Sequence, residues 1–233
     1  MAITARELMQ KPKFEGIGKF VEARKANGEY PASFVFEFFG GQVSIEVNEL
    51  EYSEYSKQPS TGSYYMLSGF VKFNVRNGSI SLVAVERRKI ADDESGLSDD
   101  HISTYVGGIS IRGVARVKDK KATQIDNANT YISAVLEWPG ATYQFKGYSR
   151  DVHESIPSPE LDPEKPAMHV RCVFGILTRE ERSKTGQKFL QQVLTLASVA
   201  AEPLASSGAA GSASAAQAAP PGGATRPPVT PPK

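Results

Sequence analysis

Cysteine is nearly missing from this sequence of 233 residues, where Cys172 stands alone. One cysteine excludes an intramolecular disulfide and a zinc site built on four thiolates. Histidine is almost as scarce, represented by His101, His153 and His169. None of the three stands in a nucleophile motif, so each reads as structural or solvated. No run approaches the roughly 18 apolar residues that cross a bilayer. The opening segment, MAITARELMQKPK, has no apolar signal core. The expected location is the cytoplasm, with no membrane partner. An excess of one charge is missing too: the formal net charge is +1, and the last 31 residues carry only Arg226 and Lys233. An anionic partner must therefore be held by a local patch, not by bulk charge.

The loops that hold phosphates and metals are also missing. GGISIRG (107–113) is glycine-rich but leads into a strand, and KTGQK (184–188) lacks the upstream glycine of a Walker loop. DDESGLSDD (92–100) has carboxylates without the alternating ligand spacing of an EF-hand. Cys172 alternates with Val170 and Phe174 and is expected to be buried and inert. The expectation is a protein that is not an enzyme and has neither cofactor nor metal site.

What is present is a pattern written twice. Residues 33–41 read SFVFEFFGG and residues 133–141 read SAVLEWPGA, so Ser33, Val35, Glu37 and Gly40 recur one hundred positions later. Around them lie two series of five strand-like segments. The first series is 16–25, 32–39, 42–50, 64–76 and 79–89; the second is 111–118, 130–138, 141–149, 168–180 and 188–199. In each series a long connection follows the third segment and a short turn joins the fourth to the fifth. Asn77-Gly78 and Lys184-Thr185-Gly186 mark those turns. Thr4 and Glu7 form a capping box, which predicts a short helix over 4–11. Alternation orients the repeated strand. Phe34, Phe36 and Phe38 share one face, as do Ala134, Leu136 and Trp138, and the Ser, Val and Glu positions share the other. Period 2 with one apolar face predicts an antiparallel sheet.

Five strands with a long third-to-fourth connection describe an OB-fold. The segments VRCVFGILTREERSKTGQKFLQQVLTLAS and LSGFVKFNVRNGSISLVAVE each read as a long strand, a basic tip and an apolar strand. In these the chain resembles tandem OB-fold single-stranded DNA-binding proteins of the bacterial, phage or mobile-element type. The predicted fold is mainly all-β: two tandem five-stranded OB-like barrels with a disordered C-terminal tail. The expected units are 1–90, a linker over 91–104, a second barrel over 105–200 and an Ala/Gly/Ser/Pro-rich tail over 201–233. The resemblance implies binding of single-stranded DNA, with RNA left open, in replication or recombination. It also implies replication or recombination proteins as partners through the tail, although the terminal PPVTPPK lacks the acidic tip usual in such tails.

Sequence-independent binding of single strands needs cations along the phosphates and aromatic faces under the bases. Basic and aromatic residues interleave in both series. In the first they are Lys19, Arg24, Tyr55, Lys72 and Arg76; in the second, Arg112, Arg116, Lys118, Lys146, Tyr148, Arg150, Arg171 and Lys184. The second and third strands are the expected binding surface of the fold, which favours Lys146, Tyr148 and Arg150. The alternative reading is a protein-interaction or assembly module built on duplicated barrels.

Overall fold

Alternating apolar residues pair into strands because each strand then has one face to bury. The structure is a computed structural model and describes residues 2–27, 31–55, 60–74, 78–148, 150–159, 167–182, 186 and 188–204, with only the backbone of Glu49 and Tyr55. Its strands are β1 (Lys13–Arg24), β2 (Ser33–Phe38), β3 (Gly41–Glu46), β4 (Tyr64–Phe73) and β5 (Ile80–Ala91), then β6 (Ser110–Gln124), β7 (Thr130–Trp138), β8 (Ala141–Tyr148), β9 (His169–Arg182) and β10 (Lys188–Ala201). Short α-helices accompany them: α1 (Ala5–Leu8), α2 (Glu49–Tyr55) and α3 (Asp99–Val106). The tail after Leu204, Asn77, Lys184 and Thr185 lie outside the described residues, while Gly78 and Gly186 hold the positive φ expected of hairpin turns.

In the first half β1 pairs with β2 and β4, β2 with β3, and β4 with β5. A parallel contact, Ile45 with Leu82 and Glu46 with Val83, brings β3 against β5 and closes a five-stranded barrel of OB type. The second half repeats these pairings among β6, β7, β8, β9 and β10. There β8 and β10 are bridged by a side chain: the Leu194 N–H donates to Tyr143 Oη at 3.1 Å.

The halves match in register as well as in order. Lys19 faces Glu37, Arg116 faces Glu137, and each first strand bulges after the next residue, at Val21 and Lys118. Each hairpin also bulges, at Val85 and Ala197, opposite the place where Phe14 and Ile111 cross the fourth strand. At the first of these bulges a Cβ on Gly69 would lie 2.0 Å from the Val83 carbonyl, so the ladder tolerates only glycine.

One core runs through both halves. Phe34, Phe36 and Phe38 are sealed inside it, as are Leu136 and Trp138 across the molecule. Burying each such Phe contributes about 1.5–3 kcal/mol, enough to set the register of its strand. Phe73 at the end of β4 stacks on Trp138 with centroids 5.0 Å apart. β1 joins β6 through Lys13–Arg112, Phe14–Ile111 and Glu15–Ser110. β5 meets β10 at Ile80–Gln192. The buried Gln192 amide acts there as an extra strand residue: the Ser44 N–H donates to its Oε1 at 2.5 Å, and its Nε2 donates to the Ser44 carbonyl at 3.1 Å.

Several stretches differ from expectation. α1 ends at Leu8, short of the expected 11, and β6 runs on to Gln124, past the 118 read as its end. Residues 49–55, read as strand end and polar connection, form α2, where Asn48 and Glu51 cap each other's backbone N–H at 2.8 and 3.1 Å. Tyr52 on this helix packs on Phe34. The stretch read as a linker contains α3: Ser98 caps it, Asp99 and Asp100 complement the positive end of the dipole at its first turn, and Tyr105 packs edge-on to Tyr64.

Candidate nucleic-acid interface

The outward face of β6, β7 and β8 brings basic and aromatic side chains together. Its rows follow from register. Arg116 lies opposite Glu137 and Thr142; Asp119 opposite Val135 and Gln144; Lys121 opposite Ser133 and Lys146; Thr123 opposite Tyr131 and Tyr148. The bulge at Lys118 sets this pattern. Strict alternation from Arg116 would turn Lys118 and Lys120 outward together, but the extra residue reverses the phase. Lys121 therefore points outward. Lys120 turns inward instead, and its ammonium donates to the carbonyls of Glu154 and Ile156.

Tyr131 and Tyr148 meet edge to face, with centroids 5.6 Å apart. Tyr148 is 40% exposed. The Arg150 guanidinium lies 5.7 Å from its ring centroid. The turn that places Arg150 is local: Asp151 accepts from the Tyr148 N–H through Oδ2, and its own N–H donates to the Tyr148 carbonyl, both at 2.9 Å. Behind the turn the His153 ring rests against Gly147, where a Cβ would collide with it. Burial holds the His153 pKa below its ordinary value. On the other side of the face the Glu137 carboxylate sits between Arg116 and Lys118, at 3.8 and 3.7 Å.

Five of the expected residues thus share one surface: Arg116, Lys118, Lys146, Tyr148 and Arg150. Tyr131 and Lys121 join them. Tyr131 was legible, because it falls in phase with Ser133 and Val135; Lys121 was not, because it lies past the 118 read as the strand's end and the bulge decides its phase.

The other expected residues lie elsewhere. Lys19 is on β1 with its Nζ 5.9 Å from the Tyr64 centroid. Arg24 is held by Glu22 at 2.6 Å and is mostly covered. Lys72 pairs with Glu46 at 2.7 Å. Arg171 is committed to Glu7 at 2.6 Å and Glu202 at 3.2 Å, a pairing that draws the Glu7 carboxyl down to about 2. Arg112 sits at the β1–β6 junction opposite Lys13. Arg76, Lys184 and the Tyr55 side chain lie outside the described residues.

The first half lacks an equivalent face among the described residues. Glu46 takes the place of Lys146, since each pairs with the repeated Ser33 or Ser133. One hundred positions before Tyr131 and Tyr148 stand Pro31 and Asn48. Val35 is fully sealed, whereas Val135 is half-buried.

Burial pushes the Cys172 thiol up to about 12, which leaves it protonated and inert. Among the described residues no three His, Cys, Asp or Glu side chains are grouped to hold a metal ion, and no helix is long and apolar enough to cross a membrane.

No protein-family model matches the chain, and no curated protein matches it. Among solved structures it is similar to a deletion mutant of the single-stranded DNA-binding protein from Thermus aquaticus, with 9% identity, a TM-score of 0.45, and coverage of 84% of this chain and 95% of that chain.

Proposed function

We propose that this protein binds single-stranded DNA without catalysis and without sequence preference, covering exposed strands during replication or recombination. The observation that carries the reading is the β6–β8 face. It sets two tyrosine rings beside Arg150 and Lys146, with Lys121, Lys118 and Arg116 along the adjacent strands. Rings of this kind stack on unpaired bases, which a duplex hides, and the cations track the phosphates. Of the two copies, 1–90 and 105–200, the second supplies this face and the first supplies part of the common core.

Fluorescence anisotropy with labelled oligo(dT) and with a matched duplex, at two salt concentrations, tests the proposal. Single strands should bind more tightly than duplex, and binding should weaken as salt rises. Equal binding of both, or none at low salt, would remove it and turn attention to a protein partner.

A further inference from the structure

A second basic surface lies at the junction of the halves, apart from the tyrosine face. Two cavities open there. One, of about 410 Å³, is lined by Phe14, Phe70 and Val85. The other, of about 440 Å³, lies beside Gln10 and Lys11, just after α1. Lys13 and Arg112 line both. They are direct cross-strand partners, and like charges placed so work against the sheet. Lys11 is a third cation, its Nζ 5.9 Å from the Phe70 centroid. All three are exposed, and among the described residues none has an ion-pair partner. Of the two carboxylates at the cavities, Glu7 is taken by Arg171 and Glu15 reaches neither cation.

We infer that this junction is a second contact for the sugar–phosphate backbone of a bound single strand, which rests on the reading above. Arg112, Arg116 and Lys118 all point outward from β6. Four residues of strand put Arg112 about 13 Å from Arg116, so a strand leaving the tyrosine face along β6 arrives at Lys13, Arg112 and Lys11. Phosphates there relieve the repulsion that the ladder builds in, and the half-exposed Phe70 ring offers a surface to a base. A second copy of this chain fits less well. A two-fold contact centred on the junction would set Lys13 and Arg112 against their own counterparts.

The test compares oligo(dT) of about 8 and about 30 nucleotides, the shorter within the reach of one OB face. It uses the full chain carrying Lys13→Gln with Arg112→Gln, and separately Lys13→Glu. The second change places opposite charges across the ladder, so it should fold at least as well as the parent. Both variants should bind the long oligonucleotide about ten-fold more weakly while binding the short one as before. For the double variant the slope of log K against log salt should shrink by about 1.4, two phosphates' worth. Unchanged long-strand affinity and slope would overturn the inference, as would an equal loss on both lengths. So would a drop in molar mass by sedimentation on mutation, which would assign the junction to a second copy. Failure of the parent protein to bind either length would instead overturn the single-strand reading itself.

Discussion

Replacing Tyr148 with alanine separates binding from folding. The ring is 40% exposed and its main partner is Tyr131, edge-on at 5.6 Å. An aromatic cross-strand pair of this kind adds about 0.5–1.5 kcal/mol beyond its burial, so the loss of stability should be about 1 kcal/mol. A stacked base contributes about 1–3 kcal/mol, which is roughly a 5- to 150-fold loss of affinity. Arg150, whose guanidinium lies 5.7 Å from the ring, also loses its platform. Anisotropy titrations with oligo(dT), run beside thermal melts, read both quantities. Tyr148→Phe retains the ring and should match the parent in each. The salt slope should not change in Tyr148→Ala, because no charge is removed. A folded Tyr148→Ala protein with parental affinity would refute the stacking argument, and so would a shift in salt slope without loss of affinity.

Glu137→Gln removes the carboxylate that sits between Arg116 and Lys118 at 3.8 and 3.7 Å. Such exposed pairs hold the fold by about 0–1 kcal/mol, but the carboxylate repels a phosphate at the same place. Affinity for oligo(dT) should rise about two- to ten-fold at low salt with little change in melting temperature. Gln192→Ala strips the Ser44 N–H and carbonyl of their partner at the seam between halves; chemical denaturation should show a loss of about 1–3 kcal/mol. Glu7 has a folded pKa of about 2, depressed chiefly by its bond to Arg171, against about 4.3 in an unfolded chain. Its contribution is therefore complete above about pH 4.5 and is lost as pH falls toward 2. Melts between pH 7 and 3 should show a shallower decline for Glu7→Gln than for the parent, with the variant less stable at neutral pH.

The chain's local order was largely legible. The repeated Ser, Val and Glu positions located β2 and β7, and the span 130–138 read from alternation is the span of β7. The Thr4–Glu7 box located α1. Helices α2 and α3 escaped because seven or eight residues give too few turns for a period to show. Their caps, Asn48 with Glu51 and Ser98 before two aspartates, were the signal to be had.

What the sequence determined by itself was the strand periodicity, the duplication, and which face of each strand is apolar. These are properties of neighbours along the chain, and steric alternation writes them directly into residue order. The tertiary structure decided which basic residues are claimed by carboxylates from distant segments. Arg171 looks like any outward cation until Glu7, 164 residues away, is folded against it. Lys72 is likewise claimed by Glu46. It decided, through the single extra residue at Lys118, that Lys121 and not Lys120 reaches the tyrosine face. It also set Lys13 against Arg112, though nothing near either residue in the sequence names the other. These long-range ion pairs and the cross-strand register exist only between segments brought together by burial of the common core, so no reading of one segment at a time contains them.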